Sequence, residues 1–246
     1  MALAGIGDRI EGLHAVAAAL AAGRVEELTV ERGRLDHPEV ARLVEECRRR
    51  GVSLKVVSDL VTLATTTSPQ GVMAAARPIP TVGLEQAAGA TDPPAVVVLD
   101  HLEDPHNVGA IARSALAAGV GGLVVPSRRA APLGPTAFKA AAGALEHLSV
   151  ATVSSIDQAL RKLRELGLWL VGLAAGGDRS LFGLDLLAEP VALVVGGEGK
   201  GLGRLVEERL DVRASIPLAG PVESLNASVA AALALYELAR VRGTVT

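Results

Sequence analysis

Aromatic side chains are almost missing from this chain, with one Trp, one Tyr and two Phe among 246 residues. A core has to be assembled from Ala, Val and Leu instead. Cysteine is as scarce. The single Cys47 has no partner for an intrachain disulfide and no second Cys at metal-ligand spacing, and in V-A-R-L-V-E-E-C-R-R-R it reads as a structural helix residue. The histidines at 14, 37, 101, 106 and 147 show no H-E-x-x-H or comparable spacing, so no metal site is expected. No uncharged apolar run reaches the length of about 18 residues needed for a membrane-spanning helix. The opening apolar stretch is broken by Asp8, Arg9 and Glu11, unlike a signal peptide. A cytoplasmic protein with no membrane association is the expectation. No G-x-S-x-G element supports a hydrolase.

Lysine is scarce too, at four against 20 Arg, within a formal net charge of -3. Arg is the better bidentate partner for phosphate, although the codon bias of a GC-rich genome would give the same balance. The mild acidity argues against a nucleic-acid interface spread over the whole surface, so any basic surface should be local. Arg32, Arg34, Arg128 and Arg129 are the candidates. The chain is half hydrophobic and 21% charged, and it contains 27 Gly and 13 Pro. Those proportions fit a folded chain rich in turns.

Residues 13–22 predict a short Ala-rich helix and 27–30 a strand. His37-Pro38 opens a second helix that runs to Arg50 and stops at Gly51. Strands are predicted at 54–57 and 71–76. A compact α/β unit thus spans residues 1–77, followed by a Pro- and Gly-bearing linker at 78–94, in which 82–88 has room for a turn or two of helix. A second unit, 95–246, begins with the β-branched run A-V-V-V-L-D, which suits a strand buried on both faces of a parallel sheet. Helices at 107–118, 136–143, 157–166, 202–208 and 225–240 then alternate with strands at 121–125, 149–153, 168–172, 191–195 and 211–214. That alternation predicts βαβ crossovers and a mostly parallel sheet, whose ligands bind beyond the carboxyl ends of the strands.

Three segments follow such strands. In D-P-H-N-V-G-A-I-A-R-S-A, Asn107 falls at the predicted helix start, where it reads equally well as an N-cap. Arg113 stands in an otherwise apolar helix, which calls for an anionic partner unless it lies on an exposed face. In V-A-L-V-V-G-G-E-G-K-G-L-G, five glycines surround Glu198 and Lys200. The turn allows close backbone approach to a ligand, but it matches neither the G-x-x-x-x-G-K-[ST] loop nor a dinucleotide fingerprint. In I-P-L-A-G-P-V-E-S-L-N-A-S-V-A, a stiffened loop presents Ser224 and Asn226 at the mouth of an Ala-rich helix, where Ser224 alone would read as an N-cap.

Taken together, in this order and spacing, the three segments resemble the motifs of the SpoU/TrmH branch of SPOUT RNA ribose 2′-O-methyltransferases over residues 95–240. The N-terminal I-E-G-L-H-A-V-A-A-A-L and the strand before Arg77 resemble the small substrate-binding domain, similar to ribosomal protein L30e, of the bacterial 23S rRNA guanosine-2′-O-methyltransferase group. The resemblance implies an α/β catalytic domain with a deep C-terminal trefoil knot and an S-adenosylmethionine cofactor contacted by Gly196, Ile216 and Leu225. It implies an active site of Asn107, Arg113, Glu198, Ser224 and Asn226, an RNA substrate and a homodimer with the site near its interface. The residues depart from the family pattern at Ser68-Pro69-Gln70-Gly71, where His usually precedes Gln-Gly, and at Glu223, where a small polar residue is common. Arginine, charged throughout the ordinary pH range, is a poor base. Arg113 fits electrostatic stabilisation of the ribose oxygen better, with a substrate phosphate or Glu198 taking the proton. A tRNA or another rRNA site stays open as the substrate, and a non-catalytic RNA-binding module is the alternative of a different class.

Overall fold

The computed structural model describes residues 5–197, 199 and 201–245. Near its start, β1 (Gly5–Ile6) pairs antiparallel with β6 (Ile79–Pro80). Between them lies an α/β unit of β2 (Arg9–Glu11), α1 (Leu13–Ala21), β3 (Val25–Glu31), α2 (Pro38–Arg50), β4 (Ser53–Val57) and β5 (Val72–Ala76). Its sheet has the order β2-β5-β3-β4, in which only β3 and β4 run parallel. Helix α2 ends where expected, at a left-handed Gly51 with φ 68°. Val40, Leu43, Val44 and Cys47 form its buried face. Burial pushes the Cys47 thiol pKa up, in keeping with a structural residue.

Two features of this unit escape a propensity reading. The short strand β2 carries Glu11, which is fully buried. Its carboxylate accepts from the Thr65 amide at 2.7 Å, the Thr66 amide at 2.8 Å and Thr66 Oγ1 at 2.6 Å. The Thr-rich stretch before β5 is therefore folded around a buried acid.

The segment 78–94 holds α3 (Leu84–Ala88), whose Ala87 and Ala88 are buried against the second sheet. That sheet is built from β7 (Ala95–Asp100), β8 (Gly122–Pro126), β9 (Ser149–Val153), β10 (Trp169–Leu173), β11 (Arg179–Ser180), β12 (Val191–Gly196) and β13 (Val212–Ser215). Its order is β11-β13-β10-β12-β7-β8-β9 and every neighbouring pair is parallel. The helices are α4 (Pro105–Ala117), α5 (Pro135–Ala141), α6 (Ile156–Glu165), α7 (Arg204–Glu207) and α8 (Ala227–Val241).

Strand β7 shows why its sequence lacks alternation. Ala95, Val97 and Leu99 pack on the side of α4 and α8, while Val96 and Val98 pack on the side of α3 and α6. A strand covered on both faces has no polar face to offer. No helix among the described residues is long and apolar enough to cross a membrane.

The two units are locked by a buried ion pair. Arg24, from β3's approach, donates through Nε and Nη2 to Glu146, both at 2.6 Å, and through Nη1 to the carbonyls of Gly7 and Arg77, also at 2.6 Å. Its guanidinium lies 5.7 Å from the centroid of the buried Phe138 ring. Glu146 is thus structural, and one hydrophobic cluster runs from Ile10 and Leu28 in the small unit to Leu99 and Ile111 in the large one.

Candidate functional site

Helix α4 starts two residues before the predicted position. Asp104, not Asn107, is the N-cap, accepting from the His106 amide at 2.8 Å. Asn107 instead lies inside the first turn, buried, with Nδ2 at 3.4 Å from Asp104 Oδ2. Arg113 turns outward and has no hydrogen-bond or ion-pair partner among the described residues. The reason is that alanine does not report a face. His106, Arg113 and Ala117, at helical spacing, are exposed, while Val108, Ile111, Ala112 and Ala115 fill the buried face. The buried side packs tightly on α5, since a Cβ at Gly109 would fall 2.4 Å from the Ala137 carbonyl oxygen.

The Gly-rich turn grows directly out of β12. Gly196 is paired in register with Asp100, the last residue of β7. A Cβ at Gly196 would fall 2.3 Å from the Gly201 carbonyl carbon and 2.6 Å from the Leu202 amide nitrogen, so the turn folds back on the strand end and admits only glycine there. The Gly201 amide donates to the Gly197 carbonyl at 3.1 Å. Asp100 is a positioning residue for this turn that the sequence reading missed. Its carboxylate, 2% exposed, accepts from the Gly203 amide at 2.8 Å and lies 2.5 Å from His101 Nδ1. His101 itself sits at φ 55°, a backbone region few non-glycine residues occupy. The one available signal is the acid that closes an otherwise apolar strand.

The third segment lies over this turn. Asn226, rather than Ser224, caps α8, accepting from Ser228 N at 2.9 Å and Val229 N at 3.3 Å. Ser224 is thereby left free for the cavity. Glu198 lies outside the described residues.

Together the turns after β10, β12 and β13 enclose a cavity of about 370 Å³ at the carboxyl edge of the sheet. Gly196, Ile216, Ser224 and Leu225 line it, whereas Asn107, Arg113 and Asn226 do not. Its walls are apolar side chains such as Leu173, Val195 and Leu202, glycine backbone and the carboxylates of Glu207 and Glu223. No Lys or Arg side chain lines it among the described residues. A compact ligand with a flat ring and a positively charged group fits, since apolar walls and glycine backbone can pack against the ring and carboxylates can balance the charge. S-adenosylmethionine has that composition.

An α/β body with a parallel sheet, a glycine-built cavity at the strand ends and a smaller α/β unit in front define a cofactor-binding α/β enzyme class. Comparison with known proteins makes this particular. Residues 94–236 match the model of the SpoU rRNA methylase family, and residues 9–82 match the RNA 2′-O ribose methyltransferase substrate-binding model. The chain belongs to the SpoU rRNA methylase family, whose members methylate RNA riboses with S-adenosylmethionine. It is 39% identical over 242 residues to the 23S rRNA (guanosine-2′-O-)-methyltransferase RlmB of Shewanella oneidensis, covering 96% of this chain and 98% of that protein. An uncharacterized tRNA/rRNA methyltransferase of Synechocystis is 47% identical over 160 residues, which are 65% of this chain but only 41% of that longer protein. Among solved structures, the SpoU methyltransferase AviRb from Streptomyces viridochromogenes, in complex with the cofactor AdoMet, is similar with a TM-score of 0.77 and 27% identity, over 96% of this chain and 91% of that one.

Proposed function

We propose that this chain methylates the 2′-hydroxyl of a guanosine in 23S rRNA, as a cytoplasmic homodimer. The observation that carries the reaction is the cavity, which unites Gly196, Ile216 and Leu225 from two separate segments and sets the carboxylates of Glu207 and Glu223 beside glycine backbone. A substrate-binding unit ahead of the large unit, and near full-length similarity to an enzyme named for 23S rRNA, favour rRNA over tRNA. We divide the chain at 1–77, 78–94 and 95–246 for these roles, with the C-terminal part threaded as the trefoil knot of the family.

When bound, S-adenosylmethionine supplies an electrophilic methyl group. Gly196, Ile216 and Leu225 would hold it through backbone and apolar contact, and the carboxylates of Glu207 and Glu223 would balance its positive charge. Arg113 stabilises the developing charge on the ribose oxygen, while Asn107, Ser224 and Asn226 position the ribose. Glu198 or a substrate phosphate takes the proton. In-line placement of the oxygen supplies much of the remaining rate.

Exposed apolar residues on one face of α8 support the homodimer. Val229, Leu233 and Tyr236, spaced four and three residues apart, are 48%, 36% and 49% exposed. Helix α8 packs beside α4, the helix that carries Arg113.

Transfer of labelled methyl to 23S rRNA and, in parallel, to bulk tRNA tests the reading, with the product located by nuclease digestion and mass spectrometry. Methyl on one 23S guanosine ribose is the expected result. Methyl on tRNA keeps the chemistry and overturns the substrate, and no transfer to any RNA overturns the reading.

A further inference from the structure

The arginines of this chain sort into two groups. Most are committed. Many hold carboxylates in ion pairs, among them Arg24, Arg209 and Arg213, and others hold carbonyls, as Arg242 does with four of them. Arg32, Arg34, Arg113, Arg128, Arg129 and Arg179 are different. All are exposed, and none has a carboxylate or carbonyl partner for its side chain among the described residues. In a chain of net charge -3, these uncommitted cations are where an external polyanion gains most.

Five of them are carried by elements that contact one another in series. Arg113 is on α4, which packs closely on α5. The loop carrying Arg128 and Arg129 leads into α5 and is pinned by the Ala131 amide, which donates to the Leu102 carbonyl at 2.7 Å. From α5, Lys139 Nζ donates to the Ser68 carbonyl of the small unit. That loop ends at Gly71, where a Cβ would fall 2.4 Å from Arg34 Cγ. Arg32 and Arg34 form the short turn after β3. Arg179 lies elsewhere, on the edge strand β11.

We propose that the RNA backbone follows one track across both units, from Arg113 past Arg128 and Arg129 to Arg32 and Arg34. This rests on the RNA-methylating reading above and adds where the RNA lies. The Arg24–Glu146 lock and the Lys139–Ser68 hydrogen bond hold the two halves of the track at fixed separation, so the small unit presents its cations as part of one surface rather than as a tethered arm.

The test is the salt dependence of 23S rRNA binding for the full-length protein and three variants: Arg32→Ala/Arg34→Ala, Arg128→Ala/Arg129→Ala and Arg179→Ala. Every arginine–phosphate pair removed lowers the slope of log K against log salt by about 0.7–0.9. Each double variant should therefore lower the slope by about 1.4–1.8, with S-adenosylmethionine affinity and melting temperature unchanged, and Arg179→Ala should leave the slope as it is. If only the Arg128/Arg129 pair changes the slope, the RNA is confined to the large unit and the track is wrong. An equal decrease per arginine in Arg179→Ala would show a diffuse charge effect and overturn it as well. Slopes that fall as expected in a protein that transfers no methyl would sustain the track while removing the catalytic reading. Unchanged slopes in an active methyltransferase would do the reverse.

Discussion

Asp100 and Gly203, 103 residues apart in sequence, are joined by a 2.8 Å hydrogen bond from the Gly203 amide to the buried Asp100 carboxylate. The bond ties the far end of the glycine turn to the last residue of β7, and Gly196 at the near end is paired with that same residue. Both ends of the turn are thus referenced to one acid. Hydrogen bonds to a buried charged group are worth about 1.5–3 kcal/mol. Asp100→Ala should therefore weaken S-adenosylmethionine binding by roughly one to two orders of magnitude. Asp100→Asn, which keeps one acceptor, should recover part of it. Isothermal titration of both variants reads this directly, and equal, unaltered affinities would remove Asp100 from the site.

Arg113→Ala should leave cofactor affinity close to that of the parent protein, because Arg113 does not line the cavity. Its turnover should fall by about two to three orders of magnitude if the side chain stabilises charge on the reacting oxygen. Single-turnover methyl transfer alongside titration separates the two. Parallel loss of both would make Arg113 a cofactor ligand instead.

Arg24 and Glu146 are the pair that unites the small and large units, with side chains only 9% and 2% exposed. Removing one partner leaves the other charged and buried, at a cost of about 3–5 kcal/mol. Glu146→Ala and Arg24→Ala should each lower stability by that order, and the double variant by much less than their sum. Urea denaturation of the four proteins completes the cycle. Additive losses would mean that the pair is not energetically coupled.

Acid should loosen the small unit through Glu11. Burial by itself raises its pKa, but hydrogen bonds from Thr65 and Thr66, aided by Arg9, outweigh that effect, and the net shift is downward. A carboxyl whose pKa is lower folded than unfolded contributes stability above the unfolded value, about 4.3, and that contribution is lost as pH falls through the folded value. Relative to wild type, Glu11→Gln should be destabilised at neutral pH, and the difference should shrink as pH drops below about 4.3. Denaturation midpoints across that range check the sign; a gap that widens in acid would contradict it.

Much of this architecture is legible in the chain. Every strand of the large unit except β11 can be read there, because uninterrupted runs such as Val96–Val97–Val98 have few alternatives to burial in a parallel sheet. Helix α2 is legible at both ends, from Pro38 and Gly51. The failures have a common cause. Short strands such as Arg9–Glu11 and Arg179–Ser180 are held by their neighbours rather than by their own composition. Asn107 and Ser224 resemble caps because cap preference is shared by several polar residues; Asp104 and Asn226 hold those positions because they stand one residue before the first helical turn. The cavity residues Gly196, Ile216, Ser224 and Leu225 come together as the motifs suggest. Glu207 and Asp100 matter through neighbours that are distant in sequence; no local pattern announces Glu207, and only its place at the end of an apolar strand marks Asp100.

The guanidinium of Arg24 draws on Gly7, Arg77 and Glu146 at once and is covered by Phe138. The orientation of the front unit is therefore written into four separated places in the chain, two of them in the body it rests on. Such a unit is not an interchangeable head. A recombination event that supplied a different RNA-recognising module would strand an acid and an aromatic ring on the surface of the body it joined.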